Sequence, residues 1–212
     1  LKGSICLEIQ TQTLFNETLK TINERHSIRL FSDKPVSDEA INLILQAANK
    51  APSAHNQQSW RFIVITGEKK RQLVELVSNK ANEFPKASSV LLRMASRSIA
   101  GAPVVIAVAN TGDLIEHGTN LFNIDQQVAY DFFRTMEIQS SAAAVENLLL
   151  AATSLGLASV WLGILFLIKD EVLTLLGEPK GEFMAVIPIG YPLKQTKGPE
   201  KRPLEMIVKY LN

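Results

Sequence analysis

Ala51-Pro52-Ser53-Ala54-His55-Asn56-Gln57-Gln58-Ser59-Trp60-Arg61-Phe62 is a small, polar, turn-forming run that closes on an aromatic and feeds the strand-like Phe62-Ile63-Val64-Ile65. Proline, serine and asparagine hold a backbone in a non-helical path and leave its N–H and C=O groups free to face a ligand. A flat heteroaromatic ring with hydrogen-bonding edges suits such a surface. Upstream, Arg25-His26-Ser27-Ile28-Arg29 places two guanidiniums and a hydroxyl within five residues, which is chemistry for a phosphate. Ring platform and phosphate clamp together point to a mononucleotide cofactor. Each segment also has a plainer reading. The first suits a helix-to-strand connection, and the second a helix end whose basic residues complement the dipole and stay in water.

Working outward, Leu14, Phe15, Leu19 and Ile22 sit at near-helical spacing, so the basic pentad follows a first helix. Ser37-Asp38-Glu39 opens a second, a capping hydroxyl followed by acids at the positive end of the dipole. Its apolar face is Ala40, Ile41, Ile44, Leu45 and Ala48, and it runs out before Pro52. Residues 62–66 read as a strand, followed by a charged helix carrying Leu73, Leu76 and Val77. Residues 103–109 are a nearly continuous apolar run with three valines, which reads as a buried strand. Residues 125–155 form the dominant helix, with a break expected near Gln139 to Ser141. Its second half, 138–155, is about 27 Å long at 1.5 Å rise per residue and rich in alanine and leucine on every face. A helix apolar all round is buried all round, and a second subunit is one way to cover it. Gly156 ends this helix. Residues 157–162 and 183–189 read as strands, with a short helix over 169–176 between them. The apolar residues of the tail, 203–211, must also be covered by something.

The bulk numbers narrow the function classes. A chain of 212 residues without repeat, low-complexity tract or linker is expected to form one domain over 1–212. Apolar residues make up 46% and charged ones 20%, ordinary for a globular protein. With 22 basic and 21 acidic residues the net charge is +1, which gives no electrostatic case for nucleic acid or a membrane surface. The longest apolar runs fall well short of a membrane span. Residues 1–10 do not read as a secretory signal, since Glu8 and Gln10 interrupt any apolar core. Cys6 is the single cysteine, which rules out an internal disulfide and a cysteine-rich metal site and favours the reducing cytoplasm. No G-x-G-x-x-G, G-x-x-x-x-G-K, G-x-S-x-G or H-E-x-x-H is present, so dinucleotide-fold, phosphate-loop, serine-hydrolase and zinc-protease readings lack their defining elements.

The Arg-x-Ser-x-Arg start and the Pro-Ser-x-x-Asn-x-Gln-x-Trp segment resemble the signature of the FMN-dependent nitroreductase family. Two later stretches are similar as well: Glu146-Asn147-Leu148-Leu149-Leu150-Ala151-Ala152 running into Leu155-Gly156-Leu157, and Lys201-Arg202-Pro203-Leu204-Glu205. The resemblance covers roughly 17–210. It implies an α+β fold, a three-layer sandwich of mainly antiparallel sheet flanked by helices. It also implies a domain-exchanged homodimer with FMN at the interface, NADH or NADPH as reductant, and a small-molecule acceptor such as a quinone or nitroaromatic.

Residue by residue, the resemblance gives Arg25, Ser27 and Arg29 the flavin phosphate, with His26 contacting phosphate or ribityl oxygens. Pro52, Ser53, Ala54 and Asn56 would lie against the ring. The backbone of Leu162 and Gly163 would pass near its reactive edge, where glycine permits close approach. Lys201 and Arg202 would complete the phosphate site. Ser59 departs from the family pattern, in which proline is frequent before this tryptophan, and Trp60 reads as packing. Glu146 stands where glutamine is frequent, and an acid buried in that helix would need a partner or a raised pKa. Phe122, Phe132 and Phe133 either roof the pocket or belong to the core. No catalytic acid or base is expected, because the flavin carries the hard step. Two other readings stay open: a flavoenzyme of the same fold with oxidative, dehalogenating or flavin-degrading chemistry, and a flavin-binding sensory module.

Overall fold

A computed structural model describes residues 16–178 and 180–211. Cys6, Leu14, Phe15 and the first ten residues lie outside the described residues. The centre of the fold is β2, Val104–Asn110, buried at every position because both of its faces are covered. It pairs antiparallel with β1, Trp60–Ile65, on one side and with β4, Glu182–Gly190, on the other. The two-residue β3, Ala158–Ser159, closes the far edge beside β4, giving the order β1-β2-β4-β3. Two isolated bridges extend this edge, Ser27 with Ser159 in parallel and Phe31 with Pro192 antiparallel.

Alternation along β2 sorts two cores. Val105, Ala107 and Ala109 face a layer built from α3 (Gly67–Lys80), α4 (Lys86–Gly101) and α7 (Lys169–Leu176). Val104, Ile106 and Val108 face α2 (Asp38–Asn49) and α6 (Gln126–Ser154). This is the expected three-layer sandwich. A register shift between Val108 and Ala109 lets Phe183 of β4 turn into the first core while Ala185, Ile187 and Ile189 fill the second. The first helix, α1 (Glu17–Glu24), starts at Asn16, whose Oδ1 accepts from the Leu19 N–H at 3.0 Å. It has no buried residue, and Leu19 and Ile22 are exposed. The second starts as its residues dictate, the Ser37 hydroxyl accepting from the Ala40 N–H at 3.2 Å.

Four expectations need correction. α6 is continuous over 29 residues, because the polar residues read as a break find partners: the Ser140 hydroxyl donates to the Met136 carbonyl at 2.7 Å, and that of Ser141 to Asn110 Oδ1. α6 is also not buried all round within one chain; Gln139 and Glu146 are exposed and Ala142, Ala143 and Leu150 are half-buried. The strand expected over 157–162 is laddered only at Ala158–Ser159, after which the chain leaves for a 3-10 turn over Gly163–Ile168. Two helices were not foreseen: α4, and α5 (Asp113–Leu121), which folds back on the start of α6. Gly118 of α5 allows that approach, since a Cβ there would lie 2.3 Å from the Phe133 ring.

Candidate functional site

The basic pentad leaves α1 directly, the Arg25 N–H donating to the Thr21 carbonyl at 3.0 Å. Past it the chain extends along the sheet edge, with the Ile28 N–H donating to the Ser159 carbonyl at 3.0 Å. Ile28 packs on the first core, and Ser27 and Arg29 on either side of it are exposed. His26 ties the pentad to the segment after β4: Nδ1 lies 2.9 Å from the Glu24 carbonyl oxygen and Nε2 2.9 Å from Thr196 Oγ1. Gly198 sits directly against the same ring.

This contact borders an open cavity of about 800 Å³ whose lining includes Arg25, His26, Lys197 and Lys201, with Thr153 and Gly156 from the end of α6. Three side-chain cations and an imidazole around one opening form an anion cradle, although Glu24 and Glu200 also reach its wall. The structure thus brings Arg25, His26 and Lys201 together, with Ser27 next in the chain. Arg29 and Arg202 are exposed and outside the lining. Lys197 and Thr196 were missed in the sequence, where a lysine in a C-terminal connection carries no periodic or motif signal. Glu146 is not buried; it is half exposed and lies 3.4 Å from Arg25 Nε, so its partner is the clamp itself.

Pro52 to Asn56 lie elsewhere. Ser53 precedes a short 3-10 turn, Ala54–Asn56, in which His55 and Asn56 have φ of 53° and 55°; Gln58 follows at 52°. Three non-glycine residues in the left-handed region within four positions are costly, and such strain persists only where the surroundings over-determine it. Here the Ser53 hydroxyl accepts from the Gln58 N–H at 3.1 Å, Ser140 Oγ accepts from the Ala54 N–H at 3.1 Å, and Gln58 Nε2 donates to the Asn56 carbonyl at 2.9 Å. Trp60 beneath is buried, its Nε1–H donating to Asn49 Oδ1 at 3.0 Å, which is the packing role read from the sequence. The loop is a fixed, outward-facing polar surface.

The two halves flank α6. At 3.6 residues per turn, Glu146 and Thr153 on the clamp side lie about 120–140° around the axis from Ser140 on the loop side. Leu162 and Gly163 belong to the sheet edge: the Leu162 N–H donates to the Val186 carbonyl at 2.9 Å, Leu162 is buried and Gly163 is exposed. A Cβ on Gly163 would meet nothing closer than the Trp161 ring at 3.9 Å, so the chain's own packing does not demand glycine there. Of the aromatics, Phe133 is core, while Phe122 and Phe132 are exposed and stacked with centroids 6.0 Å apart. Among the described residues no group of His, Cys, Asp and Glu is arranged to hold a metal ion. No described helix is long and apolar enough to cross a membrane.

The family model for the nitroreductase family matches residues 22–191, which takes in the site except its residues after β4, Thr196, Lys197, Lys201 and Arg202. The chain belongs to the nitroreductase family. It is 34% identical over 181 residues to a protein of Archaeoglobus fulgidus provisionally named NADH dehydrogenase/NAD(P)H nitroreductase, a match covering 83% of this chain and 86% of that one. It is 26% identical over 193 residues to the FMN reductase [NAD(P)H] of Bacillus subtilis, covering 91% and 72%. A crystal structure of a nitroreductase with bound FMN from Desulfitobacterium hafniense superposes with a TM-score of 0.68 at 26% identity, covering 94% of this chain and all of that one. The match to the nitroreductase family thus runs from within α1 to just past the end of β4.

Proposed function

We propose that this nitroreductase-family protein is an FMN-dependent oxidoreductase, taking hydride from NADH or NADPH and passing reducing equivalents to a small organic acceptor such as a quinone or nitroaromatic. The carrying observation is the pairing of an anion cradle with a rigid polar loop, the two ends a flavin mononucleotide requires. FMN supplies the two-electron chemistry when bound; the chain supplies binding and orientation. Arg25, His26 and Lys201 hold the phosphate with Ser27 beside them, joined by Lys197, while Arg29 and Arg202, exposed outside the lining, stand as outer cations of the same site. Pro52, Ser53, Ala54 and Asn56 present fixed donors and acceptors to the ring, and the backbone at Leu162 and Gly163 borders it.

Cradle and loop stand on different flanks of α6, an arrangement that suits a flavin held between the cradle of one chain and the loop of another. We read the protein as a homodimer on that ground. The incompletely covered stripe of α6 supports it, as do Leu204, Met206, Ile207, Tyr210 and Leu211 of the tail, each more than 60% exposed. The single cysteine of the sequence, Cys6, suits a reducing compartment. The activity is tested by adding NADH or NADPH to the purified yellow protein without oxygen. Bleaching that menadione reverses is expected; a flavin that stays oxidised with both nucleotides overturns the reductase reading.

A further inference from the structure

Between the end of β2, the start of α5 and the middle of α6 lies a buried polar cluster that neither half of the flavin site uses. Its centre is Glu137, fully buried, whose Oε1 accepts from the Gly112 N–H at 3.0 Å. Gly112 is the N-cap of α5 at φ 85°, a backbone position that favours glycine, and it offers no side chain to cap the helix. Glu137 therefore does the capping from outside. Beside it is buried Ser59, whose Oγ accepts from the Leu114 N–H at 3.1 Å and whose hydroxyl faces the Glu137 carboxyl. The Ser59 carbonyl accepts from the Thr111 N–H at 3.2 Å. Ser59 directly follows the strained loop. One carboxyl and one hydroxyl thus join that loop to the first turn of α5.

The charged groups around Glu137 come from three elements: Glu182 on β4, Asp113 on α5, and Arg134 one turn earlier on α6, which is bonded to Glu182. Arg61, the one charged residue of β1, pairs with Glu178 at 3.2 Å, and β2 carries no charged residue. The second oxygens of Glu137 and Glu182 and the Nδ2 of Asn110 find no protein partner, and Asn110 is the β2 residue paired with Glu182. The single cation is thus committed to Glu182, and Glu137 as a carboxylate would be a second buried negative charge with an idle oxygen. As a neutral acid it still accepts from Gly112 and gains a donor for the acceptors around it.

We infer that Glu137 is a positioning residue controlled by a proton: neutral, it stays buried and holds the first turn of α5 against the strained loop, and ionised, it is drawn toward water as an uncompensated buried charge and opens that turn despite its bond from Gly112. Burial pushes the Glu137 carboxyl above its ordinary 4.5 and outweighs the hydrogen bonds from the Gly112 N–H and the Ser59 hydroxyl, which pull it down; the neighbouring acids Glu182 and Asp113 add to the rise. Since the folded-state pKa is the higher one, its contribution to stability is complete below about 4.5. It is lost as pH rises through the raised value. Phe122 ends α5 and stacks on Phe132 near the start of α6, so the latch bears on how firmly these exposed rings are held. That consequence for turnover rests on the flavin reading above, whereas the latch itself does not.

The test is amide exchange at Gly112 and Leu114, measured by NMR on the protein as purified from mildly acidic to mildly alkaline pH and corrected for the intrinsic chemical rate. In the wild type, protection at both amides is expected to fall by about tenfold or more as pH rises, the loss of one buried hydrogen bond to a carboxyl. Glu137→Gln, which keeps the shape and the acceptor but cannot ionise, is expected to retain protection without that pH dependence. Ser59→Ala is expected to lower protection at Leu114 at every pH while leaving the pH dependence at Gly112. The same pH dependence in Glu137→Gln as in the wild type, or none in the wild type, overturns the inference. The visible spectrum of the same samples separates the two readings. A colourless protein with the latch intact counts against the flavin alone, and a yellow protein with no pH effect counts against the latch alone.

Discussion

Replacing Arg25 by alanine separates binding from folding. In the protein as described, Arg25 Nε lies 3.4 Å from a Glu146 carboxylate whose side chain is 49% exposed. An ion pair so open to water contributes about 0–1 kcal/mol, so the flavin-free variant should melt no more than about 4 °C below the wild type. Against a phosphate dianion the same guanidinium makes charge-assisted bonds of about 1.5–3 kcal/mol. The dissociation constant for FMN should therefore rise by roughly 10–150-fold. Riboflavin carries the same ring and no phosphate, and its affinity should not move. Glu146→Gln should act in the opposite direction, since it releases Arg25 and removes a negative charge beside the phosphate. Fluorescence titration of flavin-free protein with FMN and with riboflavin reads all of these. Equal losses for both ligands would mean that Arg25 supports the fold or the ring, and unchanged FMN affinity would remove Arg25 from the phosphate site.

Gly118→Ala drives a methyl into the Phe133 ring, where its Cβ would lie 2.3 Å from ring carbons. It should cost about 1–3 kcal/mol and lower Tm by roughly 2–12 °C in a scanning melt; an unchanged melt would show that α5 and α6 are not packed as described. Ser140→Ala leaves the Ala54 N–H without its acceptor and should destabilise the protein by about 1–3 kcal/mol in urea unfolding. Sedimentation at nanomolar concentration should give a species of twice the mass of one chain. Removing residues 203–211 should weaken that association, and a full-length monomer would contradict the homodimer.

The sequence made the longer strands and five helices, α1, α2, α3, α6 and α7, legible, most clearly where burial and periodicity agree. β2 and β4 are apolar runs buried on both faces, α2 carries its capping Ser37, and α7 occupies the expected 169–176. α4 was hidden because its pattern is inverted: Ser96 and Ser98 are buried while Val90, Leu91 and Met94 are exposed. Ser96 is tolerated inside because its hydroxyl reaches Ser78 Oγ at 2.7 Å and the Val74 carbonyl at 3.2 Å. α5 was hidden by Gly112 at its cap and Gly118 in its middle, both of which read as breakers until the Glu137 carboxyl and the Phe133 ring are seen beside them. Of the motif residues, Arg25, His26 and Lys201 meet at one cavity, but the separation of that cavity from the Pro52–Asn56 loop by α6 was not legible. That depends on where the ends of three elements meet in space, and no local pattern encodes it. Lys197 and Glu137 were invisible for the same reason.

The central claim is that each flavin is held by the cradle of one chain and the loop of another, and mixed dimers test it most directly. One chain would carry Arg25→Ala and the other Ser53→Ala with Asn56→Ala, the two co-expressed with different affinity tags and purified through both. Each variant alone makes a homodimer in which both sites are damaged. In the mixed dimer, the account predicts one site with intact cradle and intact loop, so one FMN bound per dimer with wild-type affinity. Recovery of no tight site would contradict it and would put cradle and loop to work within a single chain.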